Sequence, residues 1–308
     1  MKVAVIFTGA LRTIKKTMKY FKKNVENVDV FACLQNDTNI LDSEYELWIK
    51  SELGDHLKSI TWFSIDDDFI KHRDKIINNM NISSSVSNYL KNSGSIIEYY
   101  QLQLAYMNMV SYERNNKYDY IIRLRTDTVF GKPIDFHWLH WTDSEVHLRV
   151  EKIKQELVES HIEVNDYNIV NYFMNTIISD SIIPNIYNIK ANIIQRGVLP
   201  TISDLNNYIK NGSYILTLRK NLLYIVKRDL FYTVPFIGTM YGSHHGSNDH
   251  WWDSESQFQA VCYNSGLTIY DYYYNYDDNS LYNYNEYNYF DLNYDILNPY
   301  MLYCIVRY

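Results

Sequence analysis

The chain has 308 residues, 46% of them apolar and 21% charged, with a formal net charge of −7. Those proportions belong to a soluble globular protein, long enough for one large domain or two modest ones. The negative balance argues against a general nucleic-acid binder, which would carry a basic face. Three cysteines, Cys33, Cys262 and Cys304, are scattered with no CxxC, which favours a reducing compartment and excludes a cysteine-built zinc site. No apolar run approaches a membrane span, and Met1–Phe7 is too short for a signal segment, so the expected location is cytoplasmic. Thirty-one tyrosines beside ten glycines and five prolines suggest an AT-rich genome. A microbe of that kind fits, as does a large DNA virus, in which case the compartment is the host cytoplasm.

Residues 3–7 are a short continuous apolar run, as in a central strand of a covered parallel sheet. Thr8-Gly9-Ala10 follows, then an amphipathic helix with Leu11, Ile14, Met18, Phe21 and Val25 on one face and five lysines on the other. Strand, glycine turn and helix start form a common anion-binding arrangement, and Arg12 in the first turn suits an expected phosphate. No GxGxxG or GxxxxGK[ST] pattern is present, so classical dinucleotide and P-loop readings lose support. The lysine row reads as a solvated face.

A second strand over 28–34 ends in Gln35-Asn36-Asp37-Thr38. Polar residues past a strand's carboxyl end are where open α/β sheets bind ligands, so Asn36 and Asp37 are candidates for a base or ribose, with an ordinary turn the alternative. A helix over 44–53 and a strand over 59–65 are expected next. Residues 66–94 are Ser/Asn-rich and read as one helix within a mobile connection. A long helix over 96–114, with Gln101 and Gln103 near its start, packs through Tyr100, Leu104, Met107 and Ser111.

The stretch Tyr118–Phe130 is the most informative. Its start reads as a buried strand, and strand alternation projects Arg123, Arg125 and Asp127 to one face. Such charges are costly to bury without a partner. A metal-bound nucleotide diphosphate suits all three, the arginines meeting phosphate and Asp127 the ion or a ribose hydroxyl. Internal Arg–Asp pairing is the alternative. Residues 1–130 thus alternate strand and helix, the pattern of a mostly parallel sheet with helices on both faces.

Beyond Pro133 the alternation fails. The aromatic run Phe136–Trp141 suits the lining or cover of a site, while His137 and His140 lack a third nearby metal ligand. Residues 144–195 are mostly helical by pattern, 203–210 a short helix, and 214–217 and 222–226 two strands, followed by Lys227-Arg228-Asp229 and Phe231–Ile237. Between Gly238 and Gln257 lie three histidines, three acids, two tryptophans and three glycines. Ser254-x-x-Gln257 is a capping-box pattern for a helix over 255–264. Trp251 and Trp252 offer faces for sugar stacking, Asp249, Asp253 and Glu255 can accept hydroxyl protons, and His244, His245 or His250 can complete a metal site or hold a phosphate. A strand over 268–274 and a Tyr/Asn/Asp-biased segment over 271–295 close the chain. The acids of that segment argue against a nucleic-acid stacking platform.

Val3–Arg12, the helix containing Tyr99-Tyr100-Gln101, Tyr118–Phe130 and Asn248–Gly266 together resemble GT-A glycosyltransferases, closest to the WavE-like group of lipopolysaccharide and surface-polysaccharide synthesis. The resemblance implies a GT-A-like (Rossmann-like) α/β fold, a mostly parallel sheet flanked by helices. Residues 1–130 would form its nucleotide-sugar half, 131–270 its acceptor half and 271–308 a C-terminal segment of the same domain. It implies transfer of a sugar from a UDP- or GDP-sugar to a glycan or glycoconjugate. Thr8, Gly9, Arg12 and Gln101 would be donor-binding beside Arg123 and Arg125, and Trp251 and Trp252 acceptor-binding. Asp253 or Glu255, with Asp249 nearby, would supply the base of an inverting reaction. Asp127 would stand at the DxD motif, binding Mn2+ or Mg2+. Asp127-Thr128-Val129 offers one carboxylate where the family usually has two. Water or a histidine such as His250 would complete the shell, or Arg123 and Arg125 would neutralise the diphosphate without metal. A non-catalytic carbohydrate-binding member of the fold is the alternative function.

Overall fold

The computed structural model describes residues 1–80, 82–114, 116–130, 133–134, 143–169, 171–172, 214–219, 221–231, 254–264, 268–271 and 303–305. The N-terminal apolar run forms strand β1 (Val3–Ala10), followed by a 3-10 turn at Leu11–Thr13 and helix α1 (Ile14–Asn24). Arg12 therefore sits in the turn before the helix. Leu11, Ile14, Met18, Phe21 and Val25 are all buried, and the five lysines of α1 are exposed, as the period of the sequence requires.

Strand β2 (Val28–Gln35), helix α2 (Asp42–Leu53) and strand β3 (Leu57–Trp62) continue the alternation. The segment expected as one helix in a mobile connection is instead two helices, α3 (Asp67–Asn78) and α4 (Ser84–Asn92). Each has its own N-cap: Asp66 accepts from the Phe69 N–H at 2.9 Å, and Ser83 from the Val86 N–H at 3.4 Å. Helix α5 (Ser95–Glu113) then leads to strand β4 (Tyr120–Arg125).

Of the expected packing face of α5, Tyr100 and Leu104 do pack, partly buried, against the core, whereas Met107 and Ser111 are corrected. Met107 is 52% exposed and Ser111 is exposed, whereas Ile96, Tyr99, Leu102, Ala105, Tyr106 and Met109 are buried. The helix is apolar almost all round, so periodicity alone cannot choose its inner face.

Among the described residues, β1–β4 join β6 (Tyr214–Arg219), β7 (Leu223–Lys227) and β8 (Thr268–Asp271) in one sheet ordered β3-β2-β1-β4-β7-β6-β8. Only β7 runs against the others, pairing antiparallel with both β4 and β6. A short strand β5 (Thr128–Phe130) pairs separately with β9 (Tyr303–Ile305). Strands from the expected acceptor half therefore complete the sheet begun by the first 130 residues.

Alternation divides the core into two layers. Val5, Phe7, Val30, Leu34, Ile122 and Leu124 pack on one side with residues of α1, α2 and α6 (Asp143–Glu159). Ala4, Ile6, Phe31, Cys33 and Ile121 pack on the other with α3, α4, α5 and α7 (Ser254–Asn264). This is the expected α/β architecture, a mostly parallel sheet covered by helices on both faces. No helix among the described residues is long and apolar enough to cross a membrane. The aromatic run 136–141, the helix at 203–210, residues 232–253 and the Tyr-rich stretch 272–295 lie outside the described residues.

Candidate functional site

Strand order fixes where a site can form. β1 is flanked by β2 on one side and β4 on the other, both parallel to it. The chain therefore departs in opposite directions from the carboxyl ends of β1 and β4, the switch point at which open α/β sheets hold ligands. A cleft of about 310 Å³ opens there. Its walls come from Thr8–Ala10 and Arg12–Thr13, from Ser93–Ser95, Glu98 and Gln101 at the start of α5, and from Arg123 and Arg125–Asp127. Tyr89, Ile97 and Ser254 complete it.

The turn after β4 is fastened to β1. The Thr126 N–H donates to the Thr8 carbonyl at 3.1 Å, and its hydroxyl donates to the Ala10 carbonyl at 2.5 Å. Thr17 donates from below to the Thr126 carbonyl at 2.7 Å. Gly9, at φ +129°, lies so close that an added Cβ would stand 2.8 Å from Thr126 Oγ1. Its first role is thus to let the two strand ends approach.

Arg123 and Arg125 both reach the cleft, as strand alternation demands, but their surroundings differ. Arg123 is 1% exposed. It donates from Nη2 to Glu98 Oε1 at 3.1 Å, and Asn221 shares that oxygen at 3.0 Å. Its Nε and Nη1 groups are buried without an acceptor among the described residues, and Thr8 Oγ1 and the Tyr224 hydroxyl are likewise buried without a hydrogen-bond partner there. Burial pulls the Arg123 guanidinium below its ordinary pKa, partly offset by Glu98. Arg125 donates from Nε to Asp127 Oδ1 at 2.9 Å and from Nη2 to Asp127 Oδ2 at 2.6 Å. Burial weighs against its charge too, but Glu98, Asp127 and Glu255 outweigh it and raise its pKa.

The sequence alone left internal Arg–Asp pairing open, and that pairing is present. It bears on the expected metal. A carboxylate with both oxygens on one guanidinium is a poor ligand, and Glu98, the other acid of the cleft wall, is held by Arg123 and Asn221. No group of three His, Cys, Asp or Glu residues suited to a metal exists among the described residues. Among the described residues, the carboxylates of the cleft wall are thus engaged by guanidiniums. His250, the expected additional ligand, lies outside the described residues.

Of the remaining expected site residues, Thr8, Gly9, Arg12 and Gln101 line the cleft. Asn36 and Asp37 are absent from that lining. The Asn36 amide donates to the Ile40 carbonyl and Asp42, and its oxygen accepts from Thr38, while Asp37 is ion-paired with Arg12. They form a turn whose outer member anchors Arg12 at the cleft mouth. Glu255 stands in the first turn of α7, and the Tyr99 hydroxyl donates to the Ser254 carbonyl at 2.7 Å, tying that helix start to α5. Asp249, Trp251, Trp252 and Asp253 lie outside the described residues.

Sequence reasoning missed Glu98 and Asn221. Ser95-x-x-Glu98 is itself a capping-box pattern. Yet Gly94 is the N-cap, without a side-chain bond, and the Glu98 carboxylate serves Arg123 instead.

No protein-family model matches the sequence, and neither does any curated protein. Among solved structures, the mannosyltransferase Ktr4p of S. cerevisiae is similar at 17% identity and a TM-score of 0.23, over 50% of this chain and 37% of that one. The same enzyme in complex with GDP is similar at 14% identity and a TM-score of 0.28, over 86% of this chain and 62% of that one. The apo form of the glycosyltransferase GlyE of Streptococcus pneumoniae is similar at 12% identity and a TM-score of 0.23, over 64% and 50%. The chain thus spans between 37% and 62% of their lengths, and likeness of this degree assigns it no activity.

Proposed function

We propose that the chain is a glycosyltransferase that takes a nucleotide-diphosphate sugar into the cleft between β1 and β4 and passes the sugar to a glycan or glycoconjugate. One observation carries this reading: two guanidiniums of β4, Arg123 and Arg125, line the cleft at the switch point beside the end of β1, and one has buried N–H groups without an acceptor among the described residues. A diphosphate supplies acceptors of the right charge and spacing for such donors. In the reaction the acceptor oxygen bonds the anomeric carbon as the bond from that carbon to the diphosphate oxygen breaks. The diphosphate leaves with the electron pair, and the arginines stabilise the charge that develops on it.

For an inverting outcome, the acceptor proton passes to a carboxylate on the far side of the sugar. Glu255 is the described candidate, close enough to raise the pKa of Arg125, with Asp249 and Asp253 as the other candidates from the sequence. Trp251 and Trp252 are proposed to carry the acceptor by stacking.

A second reading, carbohydrate binding without transfer, is favoured by the charge balance of the cleft. Arg123 and Arg125 already face Glu98 and Asp127. Incubation with UDP- and GDP-sugars and a mixed glycan acceptor panel, read by mass spectrometry, separates the two. A product heavier by one sugar, with free nucleoside diphosphate, supports transfer. Glycan binding with no product from any donor overturns it.

A further inference from the structure

The relation between Arg125 and Asp127 differs from that of a metal ligand and its neighbour. A carboxylate bound in parallel by Nε and Nη2 of one guanidinium occupies the position in which an arginine holds a phosphate. The backbone beneath it is fixed: Thr126 is bonded to Thr8, Ala10 and Thr17. The Thr128 hydroxyl accepts from the Arg125 N–H at 3.0 Å and donates to the Arg125 carbonyl at 2.8 Å. The Asp127 side chain can leave Arg125 by rotation alone, without movement of the turn. In the same cleft, Arg123 keeps two N–H groups buried and unpaired among the described residues, an unfavourable state that an incoming anion would relieve.

We infer that Asp127 is an internal stand-in for the diphosphate, and that the donor binds by displacing it from Arg125 while filling the open donors of Arg123, with no divalent ion. This rests on the reading of the cleft as a nucleotide-diphosphate site. Arg123 and Arg125 each face a carboxylate in the empty cleft, with Arg12 at its mouth paired to Asp37, and the exchange of Asp127 for a diphosphate leaves Arg125 with an anionic acceptor. Asp127 thereby excludes monovalent anions of weaker charge, which cannot compete with a bidentate carboxylate already in place.

The two roles for Asp127 predict opposite effects of its removal. Titration calorimetry on the full chain, with GDP, UDP and inorganic diphosphate as probes, is run with EDTA and again with manganese. Wild-type protein is expected to bind at least one probe equally in both buffers, and Asp127→Asn to bind it about tenfold more tightly, since one competing charge-assisted pair is gone. Binding that requires manganese and vanishes in Asp127→Asn overturns the inference and restores the metal ligand. The EDTA arm on wild-type protein decides the metal question even if the variant fails to fold. Tight metal-free binding of inorganic diphosphate with no preference for GDP or UDP supports the exchange but overturns the nucleotide reading. No binding of any probe in either buffer overturns both.

Discussion

Arg123 on β4 and Glu98 on α5 are joined by a 3.1 Å contact across the sheet-to-helix interface, and the arginine is 1% exposed. Asn221, just before β7, donates to the same carboxylate at 3.0 Å, so three elements converge on one oxygen. Arg123 and Glu98 both line the cleft and tie the first turn of α5 to the sheet. A buried ion pair adds little net stability over an apolar pair, but breaking it leaves a lone buried charge.

Glu98→Leu should therefore cost about 3–5 kcal/mol of folding stability. Combining it with Arg123→Met should recover much of that loss, because the uncompensated charge goes too. Urea unfolding of the single and double variants measures both. The double variant should fold yet lose its affinity for diphosphate, which separates structural from functional roles. A double variant no more stable than the single one would contradict this account of the pair.

Gly9 gives a second prediction. Gly9→Ala meets two obstacles, a φ of +129° that side chains rarely adopt and a Cβ 2.8 Å from Thr126 Oγ1. The expected loss is about 2 kcal/mol or more, detectable as lowered melting temperature. Adding Thr126→Ser to Gly9→Ala should restore little, since both the hydroxyl and the backbone strain remain. Substantial recovery would contradict the dominance of the backbone strain and of the contact with Thr126 Oγ1.

His72 on α3 gives a pH dependence. Its ring lies 4.7 Å from that of Tyr100, and burial, followed by the charge of Lys75, holds its pKa below the ordinary 6.5. The folded state thus takes up a proton less readily than the unfolded chain. Its contribution is complete above about pH 6.5 and is lost as pH falls through the folded value. Wild-type stability should fall more steeply than that of His72→Phe between pH 7 and 5, by at most about 1.4 kcal/mol per pH unit. Denaturant midpoints across that range test it, and equal slopes would contradict it.

How much of this was legible in the sequence differs by element. β1, α1 and β2 were readable because a continuous apolar run and a clean helical period each have one structural solution. The face of α5 was not, because a helix apolar all round carries no period, and only the sheet decides which side is covered. α3 and α4 carried their caps, Asp66 and Ser83, in plain view, yet polar composition outweighed them. Phe69, Ile76, Val86 and Leu90 are nevertheless core residues.

The cleft followed the same division. Thr8, Gly9, Arg12, Gln101, Arg123, Arg125 and Asp127 could be nominated from residue type and from their place at strand or helix ends, and they line one cavity. What each charge touches could not. Glu98 lies 25 positions from Arg123, and Asn221 lies 123 positions from Glu98, separations that only the sheet topology closes. The pairing of Arg125 with Asp127 was one of two options on the strand and needed side-chain geometry to settle.

The most direct test of the central claim is the melting temperature of the full chain with GDP- and UDP-sugars, alone and beside Arg125→Gln. A ligand at about a hundred times its dissociation constant adds roughly 2.7 kcal/mol, a readily measured upward shift. The account predicts that shift for at least one donor. It also predicts that Arg125→Gln, which loses a charge-assisted bond to phosphate, weakens binding by about tenfold to a hundredfold. Unchanged melting with every nucleotide sugar, or a shift that survives intact in Arg125→Gln, would contradict it.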